Sequence, residues 1–82
     1  MIIKNKDRKD YLYAVKNSEN LYYMGYADCS DQIIKAFLYN VEIIANQVAE
    51  DLNNGRRELS DKSVKRDFKP IKVEIREVEW KS

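Results

Sequence analysis

The most regular pattern in the chain is an apolar stripe with helical spacing. Its positions fall at i, i+3, i+4, i+7, i+8 and i+11, which places all the side chains on one side of a helix. The residues of the stripe are Val41, Ile44, Ala45, Val48, Ala49 and Leu52. Asn40 precedes the stripe as a candidate cap for the first turn, and Asn53, Asn54 and Gly55 follow it, where residues that tolerate positive φ end a helix well. The pattern predicts a helix over residues 41–53.

Upstream of this helix, two short runs rich in tyrosine and aliphatic residues have the composition of strands. They are residues 11–16 and 21–27. The four residues between them, 17–20, are asparagine, serine, glutamate and asparagine, whose side chains favour turns. The arrangement predicts a β-hairpin over residues 10–27.

A second polar break, at residues 28–32, separates this hairpin from an ambiguous segment. Residues 33–39 fit either a third strand or the first turns of a longer helix. We prefer the strand, because a helix that began at Asp31 would exceed 20 residues and would leave Asn40 without a capping role.

The chain after the helix is polar and charged up to its single proline. Residues 56–69 have the composition of a charged loop, in which Ser60 is placed to cap one short helical turn through Val64 and Phe68. Pro70 ends this loop.

A closing strand is predicted over residues 70–80. Ile71, Val73 and Ile75 alternate with Lys72, Glu74 and Arg76, which is the period of a half-buried strand. The phase changes at Glu77, since Val78 and Trp80 have the opposite parity, and this indicates a bulge or a change of strand partner. Trp80 is expected to cover an edge of the core.

Together these elements predict one α+β domain over residues 1–82, preceded by a charged segment at residues 1–9. The economical architecture is a small antiparallel sheet of three or four strands with one main helix on one face, in the order ββ(β)αβ. The second strand points apolar and aromatic residues to both faces, so one helix cannot cover them all. Either residues 56–69 fold over the second face or another chain does.

The spacing of four residues in the segment that leads into the helix is similar to that of a known group of proteins. Its residues are Ala36, Tyr39, Glu42 and Ala45, with Val41 in place of a serine and Asn40 available as a cap. Over residues 11–80 the chain resembles the short accessory proteins of phages and prophages of low-GC Gram-positive bacteria, in which a hairpin and a strand precede a helix and a closing strand. The resemblance implies a non-enzymatic protein of a mobile element, from a group that includes anti-CRISPR and other anti-defence inhibitors. It implies no site residues.

Composition narrows the chemistry that is available to the chain. Its 82 residues include no histidine, one cysteine and two glycines. Imidazole acid–base catalysis, zinc sites of the usual type, disulfides and glycine-rich phosphate loops are therefore excluded. No apolar run is long enough for a membrane span, no signal peptide is visible, and the single cysteine favours a cytoplasmic protein.

Two features of the sequence remain as candidate chemistry, a cysteine and a pair of aspartates. Cys29 lies in a turn beside Ser30 and Asp31, but a thiolate nucleophile needs a neighbouring base or positive charge, so an inert thiol is preferred. Asp28 and Asp31 are placed to share a cation, but carboxylates at such turns usually bond their own backbone. We predict no catalytic residue, no metal and no cofactor.

The net charge of +1 conceals two regions of opposite sign. Residues 19–51 hold six acidic and one basic side chain, while residues 52–72 hold seven basic and three acidic ones. Clustered positive charge in the second region predicts an anion site for a nucleotide, a nucleic-acid backbone or an acidic partner. Its residues are Arg56, Arg57, Lys62, Lys65, Arg66 and Lys69. The alternative is a solvated loop whose arginines offset Glu50 and Asp51 at the helix C-terminus.

Tyrosine is concentrated in the predicted hairpin. Aromatic side chains serve as low-entropy anchors in protein interfaces and as stacking platforms for bases, although they are also ordinary strand residues. The candidate partner-binding residues are Tyr11, Tyr13, Tyr22 and Tyr26.

These observations support one leading hypothesis and two alternatives. The leading one is a phage or mobile-element protein that binds a host protein or ribonucleoprotein complex stoichiometrically and inhibits it by occlusion. The first alternative is a nucleotide or single-stranded nucleic-acid binder that combines the basic 56–72 segment with tyrosine stacking. The second alternative is a homodimer that buries its tyrosine face against itself.

Overall fold

A computed structural model describes residues 9–76 of the chain, Lys9 by its backbone alone. Its elements in chain order are β1 (Lys9–Lys16), β2 (Tyr22–Tyr23), β3 (Cys29–Ser30), a 3₁₀ turn (Ile33–Lys35), α1 (Glu42–Asn53) and β4 (Lys69–Arg76). The strands form one antiparallel sheet in the order β3-β2-β1-β4. The fold is therefore α+β in the order β-β-β-α-β, and the predicted fold class is confirmed. Within residues 9–76, no helix is long and apolar enough to cross a membrane.

The longest strand pair, β1 with β4, defines the two faces of the sheet. Its register sets Val15 opposite Pro70 and Ala14 opposite Ile71, and directly opposed residues point to the same face. Val15 belongs to the core beneath α1, so its face is called the helix side. The helix side carries Tyr11, Tyr13, Val15, Pro70, Lys72 and Glu74, and the far side carries Leu12, Ala14, Lys16, Tyr22, Lys69, Ile71, Val73 and Ile75.

The core lies between the helix side of the sheet and α1. Its buried residues are Val15, Tyr23, Ala45, Val48, Ala49, Leu52, Leu59 and Phe68. Leu59 and Phe68 come from the segment between α1 and β4, so this segment packs on the helix side. The expectation that residues 56–69 could fold over the second face is therefore wrong, because their apolar side chains enter the same core as the helix.

Asn17 organises the turn of the predicted hairpin. Its side chain is 3% exposed, and its Oδ1 accepts hydrogen bonds from the backbone N–H groups of Glu19 and Leu21, each at 3.0 Å. Its Nδ2 donates to the carbonyl of Lys65 at 3.0 Å. Asn20 takes the left-handed conformation, with φ of 62°. The turn at residues 17–20 is confirmed, and Asn17 also ties it to the segment after the helix.

The predicted second strand is too long. Regular pairing covers Tyr22 and Tyr23 alone, because the chain turns back at Gly25, which has φ of +88°. The N–H of Met24 donates to the carbonyl of Asp28 at 3.1 Å, and β3 then pairs with β2. A second tight hairpin therefore replaces the end of the predicted strand over residues 21–27.

The preferred strand over residues 33–39 is wrong. Residues 33–35 form a 3₁₀ turn, in which the N–H of Ala36 donates to the carbonyl of Ile33 at 3.0 Å. The third strand lies earlier, at Cys29–Ser30, inside the predicted polar break. Residues 33–38 do not add a strand, because β3 already occupies the outer edge of β2. Of the predicted strand over residues 33–39, Tyr39 alone forms a β-bridge, and its partner is Tyr13.

The helix starts one residue later than predicted and ends as predicted. Its first hydrogen bond runs from the N–H of Ala45 to the carbonyl of Val41, so Val41 holds the cap position and provides no side-chain hydrogen bond. Capping by Asn40 is therefore wrong. At the other end Gly55 has φ of +75°, its N–H donates to Leu52, and the N–H of Arg56 donates to the carbonyl of Asp51 at 2.8 Å. These bonds form a Schellman motif and confirm the predicted end.

The segment between α1 and β4 contains one turn and no helix. Asp61 accepts hydrogen bonds from the N–H of Ser63 at 2.9 Å and from its hydroxyl at 2.6 Å, and the N–H of Val64 donates to the carbonyl of Asp61 at 3.3 Å. Capping of this turn by Ser60 is wrong, since the N–H of Ser60 donates instead to the carbonyl of Ala27 at 2.7 Å. The segment is thereby fixed to the β2–β3 hairpin.

The closing strand is β4, Lys69–Arg76, which confirms the alternation seen in the sequence up to that residue. The predicted continuation to residue 80, the change of phase at Glu77 and the role of Trp80 lie outside the described residues. The charged segment over residues 1–8 lies outside them too.

Candidate binding surface

Exposed apolar side chains concentrate between the 3₁₀ turn and the first turn of α1. Ile34 is 87% exposed and Ile43 is 79% exposed, and the 3₁₀ turn buries none of its residues. We call this set the 33–44 surface; it consists of Ile33, Ile34, Phe37, Val41, Ile43 and Ile44. Singly exposed apolar residues are ordinary, whereas several large ones close together in the chain make this segment a candidate interaction site.

The chain beneath this surface is held firmly. The N–H of Phe37 donates to the carbonyl of Tyr23 at 3.0 Å, and Tyr39 and Tyr13 exchange two backbone hydrogen bonds of 2.7 Å each. The rings of Phe37 and Tyr39 lie 4.8 Å apart between centroids. Because it is tied to two strands, the segment presents its isoleucines in a fixed geometry, and partner binding costs less ordering entropy.

Helical geometry explains why the first turn of α1 adds to the surface. Ala45, Val48 and Leu52 point into the core, whereas Ile43 lies off the apolar stripe. Ile43 also lines a shallow depression together with Glu42, Asn46 and Pro70. Ile44 belongs to the stripe but is 48% exposed, so the core does not reach the start of the helix.

The four tyrosines predicted to bind a partner do not share one face. Tyr11 and Tyr13 lie on the helix side, and Tyr13 packs against the edge of the core. Tyr22 lies on the far side, where the Nζ of Lys16 is 5.4 Å from its ring centroid. Tyr26 follows the bend at residue 25 and is 77% exposed. The structure therefore separates these side chains between two faces and a loop.

Three of the six predicted anion-binding residues gather at the C-terminus of α1. The Nε of Arg56 lies 2.9 Å from one carboxylate oxygen of Asp51, and the Nε of Arg57 lies 3.8 Å from the other. The Nη1 of Arg66 donates to the carbonyls of Leu52 at 2.7 Å and of Arg57 at 2.9 Å. The carbonyl end of a helix attracts cations, so the guanidinium groups of Arg56 and Arg66 stabilise the end of the helix. The Nε of Arg57 is buried and has no hydrogen-bond partner within residues 9–76.

The three lysines of the predicted anion site lie elsewhere. Lys62 is exposed in the turn after Asp61, and the Nζ of Lys65 lies 3.8 Å from Asp67. Lys69 opens β4 on the far side of the sheet, directly opposite Lys16. The structure thus brings the arginines together and disperses the lysines.

Cys29 and its acidic neighbours have the properties of a structural site. Burial raises the pKa of the Cys29 thiol, and the carboxylates of Asp28 and Asp61 raise it further. A protonated thiol is a weak nucleophile. Asp28 and Asp31 are exposed, and in the part of the chain that the structure describes no group of three or more metal-binding side chains comes together.

The 33–44 surface was missed by the sequence analysis, although one signal for it is present. Ile43 is a large aliphatic residue on the polar side of a predicted amphipathic helix. Ile33 and Ile34 are adjacent, so in a strand they would point to opposite faces, and a sheet that is covered on one face would bury one of them. Isoleucines at positions expected to face solvent are therefore the signal in the sequence for this surface.

No family model, curated protein or solved structure matches this chain.

Proposed function

We propose that this protein is a non-enzymatic binding protein that engages a partner protein through the 33–44 surface and acts by stoichiometric occlusion. One observation carries the proposal: large apolar side chains are exposed on a segment that hydrogen bonds to two strands hold in place. Apolar side chains held in a fixed geometry stabilise a complex when the partner buries them.

The size of the apolar side chains sets the scale of the interaction. Burial of an exposed isoleucine contributes roughly 1.5–3 kcal/mol. Ile34 and Ile43 are the most exposed members of the surface, so they are expected to be its main anchors. Loss of about 2 kcal/mol at either position corresponds to roughly thirtyfold in Kd.

The charge around the surface indicates the chemistry of the partner. Asp28, Asp31 and Glu42 are exposed near it in the sequence, and Lys35 is the one basic residue among them. Exposed acidic residues that flank an apolar segment favour a partner whose apolar groove is bordered by lysine and arginine, and they also steer the approach of such a partner.

The resemblance to phage accessory proteins suggests where such a partner is found. Under this proposal the partner is a host protein or ribonucleoprotein complex with basic borders, as nucleic-acid-binding machines have, and the protein inhibits it by covering an apolar groove. A small fold with a fixed surface suits occlusion, since it needs no catalytic group.

The test is differential capture from lysates of Gram-positive bacteria with intact defence systems. Wild type, Ile34→Asp and Ile43→Asp are compared with Asn54→Asp, which places the same charge at an exposed position at the other end of α1. A stoichiometric partner is expected with wild type and Asn54→Asp, and titration of that purified partner should show about thirtyfold weaker binding for each isoleucine variant. Thermal melting confirms that all four proteins are folded.

Two results overturn the proposal. One is the absence of any stoichiometric protein partner across those lysates. The other is a partner whose affinity is the same for wild type, Ile34→Asp and Ile43→Asp.

A second candidate function rests on the far side of the sheet. Lys16 and Lys69 stand directly opposite each other, an arrangement of like charges that a bound anion would stabilise. Tyr22 lies beside them on the same face, within 5.4 Å of the Nζ of Lys16. We propose, as the alternative, that a nucleotide or a single strand binds here, with its phosphate on the lysines and its base on the tyrosine.

This alternative is separated from the first by its dependence on salt. Fluorescence anisotropy with a short oligothymidylate measures affinity for wild type, Lys16→Gln and Lys69→Gln, with Lys62→Gln as the matched control. The affinity of wild type for the oligonucleotide is expected to fall steeply as the salt concentration rises. Lys16→Gln and Lys69→Gln are expected to weaken binding, whereas Lys62→Gln is not. Affinity that ignores salt, or that Lys62→Gln reduces as much as Lys69→Gln does, contradicts it.

A further inference from the structure

A shallow depression lies where the first turns of α1 meet the start of β4. It is lined by Glu42, Ile43, Asn46 and Pro70. Glu42 and Asn46 are four residues apart in the helix, and side chains with this spacing are neighbours on one helix face. Ile43 also belongs to the 33–44 surface, so the depression adjoins that surface.

The lining combines two apolar walls with two polar groups. Pro70 lies on the helix side of the sheet, directly opposite the buried Val15, and forms one apolar wall, while Ile43 forms the other. The carboxylate of Glu42 and the carboxamide oxygen of Asn46 are hydrogen-bond acceptors. The depression therefore resembles a slot for an elongated side chain with an apolar stem and a polar end that donates.

The size of the depression limits what it can hold. Its volume is about 280 Å³, and it is open to solvent. Sites for small-molecule ligands are usually larger, at roughly 300–1,000 Å³, and enclose most of the ligand. A single side chain of a partner protein suits this depression better than a cofactor or a metabolite does.

The depression keeps the negative charge of Glu42. Within residues 9–76, no side chain forms an ion pair or a hydrogen bond with this exposed carboxylate. The two lysines nearest to Pro70 in β4 are directed elsewhere. Lys69 points to the far side of the sheet, and the Nζ of Lys72 lies 4.9 Å from the ring centroid of Tyr11. A cationic group from another molecule is therefore the complementary occupant.

We propose that the depression binds an arginine side chain of the partner protein. This assignment rests on the proposed function and adds the chemistry of one contact to it. The aliphatic stem of the arginine lies between Ile43 and Pro70, and the guanidinium group donates to Glu42 and to the carboxamide oxygen of Asn46. Arginine suits this site better than lysine, because its planar fork of donors serves two adjacent acceptors and is more weakly hydrated than an ammonium group.

Other occupants fit the charge less well. An anionic group is repelled by Glu42, and a wholly apolar side chain would cover its carboxylate without offering a hydrogen bond, which is costly. The positive end of the helix dipole opposes a cation at the N-terminus of α1, but this effect falls off within the first turn. Asn46 lies beyond that turn, and Glu42 offsets the dipole within it.

A short peptide tests the site without the partner. The probe is acetyl-leucyl-arginyl-leucine amide, and its matched controls replace the arginine by citrulline, which has the same shape without the charge, or by lysine. Backbone amide resonances of the full chain are followed by ¹H–¹⁵N NMR as each peptide is added. The arginine peptide is expected to shift the resonances of Glu42, Ile43 and Asn46 with a Kd in the millimolar range. The citrulline and lysine peptides should each bind about fivefold more weakly or less.

Variants of the lining residues test the two acceptors. Glu42→Gln removes the charge, and Asn46→Ala removes the carboxamide, so each is expected to weaken the arginine peptide by about fivefold. Glu50→Gln is the matched control, because it makes the same change at an exposed position on α1 outside the depression, and it should leave the affinity unchanged. The NMR spectra also show that each variant is folded.

Three outcomes overturn the proposal. One is the absence of any shift at about 20 mM arginine peptide, which places the Kd beyond the millimolar class. The second is equal affinity for the arginine peptide and either control peptide. The third is a loss of affinity in Glu50→Gln as large as that in Glu42→Gln.

The peptide experiment and the lysate experiment fail separately. Ile34→Asp is expected to bind the arginine peptide like wild type, because Ile34 does not line the depression. Peptide binding without any partner in the lysates would overturn the proposed function and leave the arginine site standing. A captured partner whose binding depends on Ile34, together with no peptide binding, would overturn the arginine site alone.

Discussion

Phe37 packs directly on the backbone of Gly25. A Cβ atom placed on Gly25 would lie 2.6 Å from the Cδ2 of Phe37, a distance that ordinary contacts do not reach. Gly25 also has φ of +88°, which L residues with side chains seldom adopt. The glycine therefore serves two purposes, since it turns the chain between β2 and β3 and makes room for the ring that leads into the 33–44 surface.

The two glycines of the chain are expected to respond differently to substitution by alanine. Gly55→Ala is expected to lower the free energy of unfolding by about 1–2 kcal/mol, because its φ is +75° but a Cβ there would meet nothing within 4 Å. Gly25→Ala pays the same backbone cost and in addition displaces Phe37, so its loss should be clearly larger. Urea unfolding, followed by circular dichroism, measures both.

A binding measurement separates the effect of Gly25→Ala on the 33–44 surface from its effect on the stability of the whole fold. Gly25→Ala should weaken capture of the partner at a temperature where the variant is still folded, because Phe37 belongs to the surface, whereas Gly55→Ala should not. Equal stability losses in the two variants would show that the ring moves aside freely and does not depend on the glycine.

Asn17 is expected to be the polar side chain whose loss is most costly in the hairpin turn. Asn17→Ala removes the acceptor of two N–H groups and the donor to the carbonyl of Lys65. Each fully buried polar group left without a partner costs about 1–3 kcal/mol, and because these three hydrogen bonds are only partly buried a total loss of roughly 2–4 kcal/mol is expected. For a domain of this size each kcal/mol lowers Tm by about 4–8 °C, which calorimetry resolves easily.

Asn20→Gly provides the control for Asn17. It lies in the same turn but has φ of 62°, which glycine adopts without strain, so it is expected to change Tm little. A Tm for Asn17→Ala within 2 °C of wild type, which is about a quarter of the smallest shift expected here, would contradict this prediction. It would mean that water replaces all three hydrogen bonds.

The sequence was most informative where local rules decide the structure. The stripe that ends at Leu52, the glycine at position 55 and the turn formers at 17–20 each depend on a few neighbouring residues, and each was predicted correctly. The segment 33–39 was not, because its course is set by residues far along the chain. Tyr39 is fixed by Tyr13 and Phe37 by Tyr23, and no local pattern encodes those bonds.

The candidate surface shows the same limit. Periodicity identifies the apolar face of a helix but not how far the underlying sheet extends beneath it. Ile44 was therefore placed on the apolar stripe with the residues that are buried, although it is half exposed. The tyrosines were grouped by their position in a predicted hairpin, yet Tyr22 and Tyr11 lie on opposite faces, because Tyr22 pairs with Lys16, which points to the opposite side of β1 from Tyr11.

Arg66 is expected to matter more for stability than Arg56, although both lie at the end of α1. Arg66 donates to two backbone carbonyls, and hydrogen bonds from a charged donor contribute about 1.5–3 kcal/mol. Arg66→Gln should therefore lower the free energy of unfolding by roughly that amount. Arg56→Gln removes an exposed ion pair with Asp51 and is expected to have a much smaller effect.

Denaturant midpoints of the two arginine variants, measured at low and high salt, check this difference. The effect of Arg56→Gln should shrink further in high salt because exposed pairs are screened, while that of Arg66→Gln should persist. The opposite ranking would show that Arg66 is replaced by solvent and that the ion pair with Asp51 holds the helix end.

Stability is expected to fall in acid partly through Asp67. Hydrogen bonds from Ser18 are the main reason why the pKa of Asp67 lies below its usual value of 3.8, and Lys65 adds to them. The N–H of Ser18 donates to its Oδ1 at 3.0 Å. A carboxyl whose pKa is lower in the folded state stabilises the fold above its unfolded pKa, and that contribution is lost as pH falls through the folded pKa.

Asp67→Asn tests this link between the hairpin turn and the segment after the helix. The variant keeps an acceptor for Ser18 but no titratable group, so its stability should fall less between pH 5 and pH 2 than that of wild type, while its value at pH 7 should be lower. Urea midpoints across this range measure both curves. Parallel curves for the two proteins would show that the pKa of Asp67 is the same in the folded and unfolded states and that Ser18 does not hold the carboxylate.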